Sequence, residues 1–331
     1  MQRDSGSTNG PDAAIDAVSR WLAREDAEPW IVETSGSTGV PKQVQLSRAA
    51  VLTAADASTA RLGGAGRWVL ALPATYVAGF NVIARSLLAG HRPVPWADGP
   101  LPKADFISLV PTQVHRLLET QPTALADYAG VLVGGGPVRS DLRERAAGVG
   151  VRLRATYGSA ETCGGCVYDG MALDGVAVAI EDDGRIRVGG PTIFTGYAGL
   201  DAGPDGLGVL VDGWFRTADV GRLDRDGRLE VLGRIDDTVI CGGVKVSAPA
   251  VAARLRSHPA VSAVEVLGVE DPEWGQRVVA FVVGPLALDA ARDWVSQTLP
   301  RTWAPRQLVA LDRIPLLPNA KTDRLALRGL A

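Results

Sequence analysis

The chain has 331 residues, 46% hydrophobic and 21% charged, with 34 Lys and Arg against 37 Asp and Glu and a formal net charge of −3. That length can bury at least two hydrophobic cores, and the near balance of interspersed charges offers no basic face for nucleic acid. No apolar run approaches the roughly 20 residues of a membrane-spanning helix, and the polar, Gly- and Ser-rich residues 1–11 lack the apolar core of a signal peptide. A cytoplasmic location without membrane insertion is therefore expected.

Residues 12–24 read as a short amphipathic helix with Ile15, Val18, Trp21 and Leu22 on one face. Trp30-Ile31-Val32 reads as a strand that runs into Thr34-Ser35-Gly36-Ser37-Thr38-Gly39-Val40-Pro41-Lys42. Glycines let a backbone approach a ligand closely, and successive N–H groups in such a loop form a nest for phosphate oxygens. The hydroxyls add donors and Lys42 adds positive charge, so the stretch points to a nucleotide triphosphate. It is not the G-x-x-x-x-G-K-[ST] pattern, because Pro41 precedes the lysine and Gln43 follows it. Taken alone, an ordinary connecting loop fits it too.

Further along, helices are predicted over 48–60, around 81–89 and over 112–119, and strands over 68–72 and 105–110. Val131-Leu132-Val133 is a short buried strand that runs into Gly134-Gly135-Gly136-Pro137. This alternation argues for α/β architecture with largely parallel pairing. After about Gly165 the texture changes. Asp183-Gly184, Asp205-Gly206, Asp212-Gly213 and Asp226-Gly227 lie beside short apolar segments, as in β-hairpins. From about Arg234 the pattern is strand, helix (248–257), strands (263–269 and 278–283), helix (289–298) and strand (307–311), a small α+β domain of ordinary size. The expected organisation is a large domain over 1–235, made of parallel α/β layers with a β-rich subdomain at about 167–233. A small mobile α+β domain over 236–331 follows.

Three cysteines cannot build a disulfide framework. Cys163 and Cys166 form a C-x-x-C pair, but Cys241 is the only other cysteine and the three histidines are scattered. Thiols lining a wall in a reducing compartment fit better than a zinc or redox site.

Four more segments stand out: Tyr157-Gly158-Ser159-Ala160-Glu161-Thr162; Trp214-Phe215-Arg216-Thr217-Ala218-Asp219; Gly233-Arg234-Ile235-Asp236-Asp237-Thr238-Val239-Ile240 with Gly242-Gly243-Val244-Lys245-Val246; and Leu317-Pro318-Asn319-Ala320-Lys321-Thr322-Asp323-Arg324. With the Thr34–Lys42 stretch, in this order and over nearly the whole chain, they resemble the motif series of adenylate-forming enzymes: acyl- and aryl-CoA ligases, peptide-synthetase adenylation domains and luciferases. A carboxylate is a poor electrophile, and transfer to the α-phosphate of ATP gives it a good leaving group. That step needs positioning and charge neutralisation more than a protein nucleophile.

The resemblance implies roles. Thr34, Ser35, Gly36, Ser37, Thr38, Gly39 and Lys42 would clasp the β- and γ-phosphates. Glu161 matches the Mg²⁺ carboxylate, a hard cation preferring oxygen ligands. Gly135, Gly136, Pro137, Tyr157 and Gly158 would form the adenine pocket, and Asp219 and Arg234 would meet the ribose. Lys321 matches the catalytic lysine that binds the reacting carboxylate and α-phosphate oxygens. Asp236 would be the hinge between two domain orientations, one bringing Lys321 over the adenylate and the other presenting Gly242 and Gly243 as the entrance for coenzyme A. Read singly, Tyr157 could be a core tyrosine, Asp219 a turn cap and Lys321 a solvated loop lysine.

Only a short segment precedes Thr34, so the N-terminal part is expected to be reduced relative to typical members, and a homodimer is one way to cover the surface this would expose. That shortness, with Leu72–Gly79, Val110-Pro111-Thr112-Gln113 and Glu161–Cys166, resembles the short actinobacterial form of the o-succinylbenzoate–CoA ligase group of menaquinone biosynthesis. The implied reaction joins a small-molecule carboxylate, ATP and coenzyme A. A CoA ligase for another aryl or acyl acid, a stand-alone domain loading a carrier-protein thiol, or a nucleotide-binding pseudoenzyme are the alternatives. A diacid with one activated carboxylate needs a partner for the other if that group is buried. Arg85 is the residue expected to hold it, against a helix-surface arginine as the alternative, with Tyr76, Asn81, Thr112 and Ser159 as further pocket walls. Ala160, Ala218, Ala320 and Tyr76 depart from the family's usual residues, and none removes a charged catalytic group.

Overall fold

The structure is a computed structural model that describes residues 10–34, 42–198, 210–317 and 322–331, with Asp236 described by its backbone alone. The described residues divide into two compact units, one within 1–217 and 222–230 and the other within 218–221 and 231–331.

In the first unit, α1 (Pro11–Leu22) starts on a proline, which has no N–H to leave unsatisfied in the first turn, and buries Ile15, Val18 and Leu22. β1 (Trp30–Thr34) and β2 (Lys42–Leu46) run antiparallel, Trp30 opposite Leu46 and Thr34 opposite Lys42. Ser47 then caps α2 (Arg48–Leu62), its hydroxyl accepting the Ala50 N–H at 3.1 Å. There follow β3 (Trp68–Leu70), α3 (Val77–Leu88), β4 (Val94–Pro95), β5 (Phe106–Leu109), α4 (Pro111–Thr120), α5 (Pro122–Ala126), β6 (Gly130–Val133), α6 (Ser140–Gly148) and β7 (Leu153–Ser159). The strands align parallel in the order β4-β3-β5-β6-β7, and β8 (Gly164–Tyr168) and β9 (Met171–Ala172) extend that sheet antiparallel. β3, β5 and β6 are buried at every position, as parallel strands covered on both faces must be. One core contains Ile15, Phe80 and Ile83, and another contains Ile107, Leu109 and Val131.

A second group of strands in this unit is antiparallel. β10 (Ala177–Ile180) and β11 (Arg185–Gly189) form a hairpin, and β12 (Gly196–Tyr197) leaves to pair with β2. β13 (Leu210–Val211) and β14 (Trp214–Leu223) turn at Asp212-Gly213, where both residues have positive φ (50° and 79°), the backbone of a type I′ hairpin. β15 (Leu229–Arg234) pairs with β14. The boundary between units cuts through these last two strands.

The second unit continues with β16 (Thr238–Cys241), β17 (Val244–Ser247), α7 (Ala248–Arg256), β18 (Ala263–Asp271), β19 (Gly275–Val283), α8 (Leu288–Ser296), β20 (Gln307–Ala310) and α9 (Arg324–Arg328). Its sheet order is β17-β16-β19-β18, with β20 parallel beside β19. Alternation along β19 serves two cores: Val278, Ala280 and Val282 pack with Val251 and Leu255, while Val279 and Phe281 pack with Leu267 and Leu327.

The predicted α/β and α+β character is what the structure has, with particular differences. α3 begins at Val77, a turn before the expected 81. Gly79 weakens helix propensity, but it is required because a Cβ there would lie 2.2 Å from Pro73 O. α6, the β16–β17 hairpin and the β1-β2-β12 sheet were not anticipated. The expected strand over 68–72 stops at Leu70. The Asp205-Gly206 turn lies outside the described residues.

Ser58 on α2 and Tyr168 on β8 share a 2.8 Å hydrogen bond in the core. Tyr168→Phe strands the Ser58 hydroxyl and is expected to cost about 1–3 kcal/mol, seen as a lower urea midpoint at unchanged m. An unchanged midpoint would show that Ser58 does not depend on this partner.

Candidate functional site

Glu161 sits in a 3₁₀ turn, Ala160–Thr162, between β7 and β8. The buried Thr162 hydroxyl holds that turn, accepting the Ser159 N–H at 2.9 Å and donating to Gly164 O at 2.8 Å. The segment leading into β12 crosses it: Phe194 N donates to Glu161 O at 2.9 Å, and Thr195 N donates to Gln45 O at 3.0 Å. Tyr197 on β12 then donates its hydroxyl to Glu161 Oε1 at 2.9 Å, and Lys42 Nζ lies 5.0 Å from the centre of the Tyr197 ring, within cation–π range. Lys42 opens β2, on the far side of the Thr34–Lys42 stretch. Ser35, Gly36, Ser37, Thr38 and Gly39 lie outside the described residues.

Among the described residues no group of three His, Cys, Asp or Glu is set to hold a metal. A single oriented carboxylate nevertheless suits magnesium, which takes one or two protein carboxylates and completes its shell with phosphate and water oxygens. Glu161 is the residue that would hold it.

α3 puts two polar side chains into the apolar interior beside the same turn. Asn81, 4% exposed, donates to Cys163 O at 2.8 Å. Arg85, 7% exposed, has its guanidinium carbon 5.4 Å from the centre of the Trp68 ring, and its Nε has no hydrogen-bond partner among the described residues. The helix-surface alternative for Arg85 is thereby excluded. Ser159 Oγ is likewise buried and unpartnered there. Burial pushes the Cys163 thiol up to about 12, with Arg85 partly offsetting the shift, and the Cys166 thiol up to about 11. Both are buried free thiols.

Gly135, Gly136 and Pro137 are exposed beyond the end of β6, and a Cβ on Gly136 would meet Pro111 Cγ at 3.9 Å, beside Thr112 in the first turn of α4. Tyr157 is half-buried on β7 against a cluster containing Cys166, Val167 and Ile186. Gly158 follows it, where a Cβ would lie 2.0 Å from Gly164 O. Tyr76 is the residue before α3. No described hydrogen bond joins Tyr76 or Thr112 to Arg85.

In the second unit, Arg234 Nη1 donates to Asp219 Oδ1 at 3.2 Å, which unites the two residues expected at the ribose. Gly242 and Gly243 form the turn between β16 and β17, both with positive φ (57° and 79°), and a Cβ on Gly242 would lie 2.6 Å from the Trp274 ring. Asp236 lies in the 3₁₀ turn Ile235–Asp237. Lys321 falls outside the described residues.

Sequence reasoning missed Tyr197. Its only signal was a Gly-Tyr pair ending the mixed stretch 192–197, with too few residues to show alternation. Its position depends on β12 pairing with a strand far away in sequence.

Residues 23–198 match the model of the AMP-binding enzyme family, and residues 250–321 match that of the AMP-binding enzyme C-terminal domain. The chain belongs to the AMP-binding enzyme family. Within it, the chain is 41% identical over 327 residues to a probable 2-succinylbenzoate–CoA ligase of Mycobacterium tuberculosis, covering 92% of this chain and 84% of that one. It is 30% identical over 337 residues to the 2-succinylbenzoate–CoA ligase of Bacillus subtilis, covering 92% and 69%. Among solved structures it is similar to o-succinylbenzoate coenzyme A synthetase of Bacillus subtilis in complex with the acyl-adenylate intermediate OSB-AMP (TM-score 0.79, 29% identity, 90% and 68% coverage). It is also similar to that enzyme in complex with ATP and magnesium ion (TM-score 0.78, 28% identity, 90% and 69% coverage).

Tyr197→Phe removes the hydroxyl donor to Glu161 and keeps a ring beneath Lys42, whereas Tyr197→Leu removes both. The leucine variant is expected to bind ATP less tightly than the phenylalanine variant by a cation–π contribution of about 0.5–2 kcal/mol, measured by calorimetric titration. Equal affinities would remove the ring from the account.

Proposed function

We propose that the chain is an AMP-forming acid–thiol ligase that converts 2-succinylbenzoate to its acyl-adenylate and then to the coenzyme A thioester, a step of menaquinone biosynthesis. The observation that carries the choice of acid is Arg85. A cation on α3 that is 7% exposed, with an Nε unpartnered among the described residues, calls for an anion. A diacid brings one carboxylate to react and a second to meet that arginine. The 41% identity to a probable ligase for this acid supports the same reading.

In the first half-reaction a carboxylate oxygen attacks the α-phosphorus of ATP, the bond to the bridging β-phosphate oxygen breaks, and pyrophosphate leaves. Lys42 and the Thr34–Gly39 residues hold the β- and γ-phosphates, and the Lys321 ammonium offsets charge on the reacting carboxylate and α-phosphate oxygens. Magnesium at Glu161 would neutralise phosphate charge, and Tyr197 orients that carboxylate through the 2.9 Å hydrogen bond. Gly135, Gly136, Pro137, Tyr157 and Gly158 receive the adenine, and Asp219 and Arg234 receive the ribose. In the second half-reaction the coenzyme A sulfur attacks the acyl carbon, the carbon–oxygen bond to AMP breaks, and the thiol proton passes to solvent. Gly242 and Gly243, exposed at the turn between β16 and β17, are the proposed approach for the thiol arm, with Asp236 as hinge between the domains over 1–235 and 236–331. Asn81, Ser159, Tyr76 and Thr112 complete the acyl pocket.

The reading is tested by pyrophosphate release from ATP across a panel of aryl monoacids and diacids, with and without coenzyme A. Release is expected with 2-succinylbenzoate and not with benzoate, and turnover with monoacids alone would favour a different CoA ligase. Arg85→Ala should raise KM for the diacid about 10- to 100-fold, the loss of a charged hydrogen bond, with KM for ATP unchanged. Unaltered diacid kinetics would exclude Arg85 from the pocket.

A further inference from the structure

A solvent-open cavity of about 330 Å³ lies in the first unit, lined by Arg67, His91, Lys103, Ala104 and Asp105. It is framed by the residues before β3, the residues before β5 and the chain just beyond α3. β3 and β5 run parallel to β7, and the cavity lies at their N-terminal ends. Glu161 follows the C-terminal end of β7, so the cavity opens at the opposite edge of the sheet from the candidate site.

The walls of the cavity are tied to one another. Arg67 N donates to Asp105 Oδ2 at 2.7 Å, and Asp105 N returns a bond to Arg67 O at 2.9 Å. Ser86, wholly buried on α3, joins the other walls: its hydroxyl accepts the Trp68 N–H at 3.2 Å and its carbonyl accepts the His91 N–H at 2.9 Å. Beside Lys103, the Pro102 carbonyl accepts the Tyr128 hydroxyl at 2.6 Å. The backbone that carries the three basic side chains is thus set in advance, which lowers the ordering cost of binding.

The charges in the lining are unmatched. Arg67, His91 and Lys103 are exposed, and their side chains have no hydrogen bond or ion pair among the described residues. The next arginine in the chain, Arg92, is by contrast paired with Asp12 and Asp16. Asp105 is the one acidic residue in the lining, and its Oδ2 is committed to the Arg67 N–H. A guanidinium fork and an ammonium point charge around one space suit a phosphate group.

We propose that this cavity is a phosphate-binding site, taking inorganic phosphate or the phosphate of a small phosphomonoester, with Arg67 and Lys103 as its principal cations and His91 as a further donor. No step of the ligase reaction uses these residues, so the site stands or falls independently of it.

The test is a titration of the ¹⁵N-labelled chain with inorganic phosphate at about pH 8, where phosphate is largely a dianion, at constant ionic strength and followed through the backbone amides. The Arg67, His91 and Lys103 amides are expected to shift along saturable curves, while the Lys42 and Glu161 amides report separately on any binding there. Arg67→Gln and Lys103→Gln should each weaken binding at the cavity about 2- to 5-fold, the range of an exposed ion pair. The double variant should weaken it about 10-fold, with the remaining amides and the phosphate-free Tm unchanged. The single variants carry the test should the double variant not fold. Glycerol 3-phosphate is the second titrant: tighter binding than inorganic phosphate supports the site with a phosphorylated metabolite as ligand, and weaker binding supports it with the free ion. Shifts that rise without saturating, or that sodium chloride alone reproduces, would reduce the cavity to general screening and overturn the proposal. Variants that bind as wild type does, or phosphate shifts confined to Lys42 and Glu161, would overturn it as well.

Discussion

The contact on which the first unit's site depends is the hydrogen bond from Tyr197 to Glu161. It closes a circuit of three segments distant in sequence. Glu161 is presented by a turn at the end of the parallel sheet, Tyr197 by the short strand β12, and Lys42 by β2, which β12 pairs with. The backbone contacts from Phe194 to Glu161 and from Thr195 to Gln45 fix the crossing before the side chains meet. A carboxylate oriented in this way and a cation 5.0 Å from the same ring leave an acidic and a basic group facing one region, which is what a nucleotide with a bound cation requires.

The acyl side of the site follows from a different constraint. α3 is buried on nearly all faces, so its polar residues cannot be solvated and must find partners inside. Asn81 finds one in the turn that follows Glu161. Arg85 has a ring face and an Nε that is unpartnered among the described residues. Holding such a group without a ligand costs stability, and under the proposed function that cost would be offset when a carboxylate arrives. Cys163 packs in this same core, and burial pushes up the thiols of both Cys163 and Cys166.

Much of the fold was legible in the sequence because local patterns agreed with tertiary need. Val131–Val133 is a continuous apolar run and Phe106–Leu109 is one interrupted only by Ser108, and both lie in buried parallel strands. The Asp-Gly pair at 212–213 marked a hairpin that formed. What escaped was set by distant pairing. The start of α3 was hidden by Gly79, whose presence is explained only by Pro73 O. Tyr197 was hidden because a two-residue strand carries no period. Arg85 was legible as a charge in an apolar helix, yet its burial was not. Lys42 and Glu161 were legible through motif resemblance, and their common link to Tyr197 was not.

The central claim is that a carboxylate oxygen of the acid bonds to the α-phosphorus of ATP. The direct measurement is a single turnover with 2-succinylbenzoate carrying ¹⁸O in its carboxylates, followed by coenzyme A and mass analysis of the nucleotide. One labelled oxygen in AMP, with unlabelled pyrophosphate, is the predicted result. ADP with label in inorganic phosphate, or AMP without label, would contradict the account.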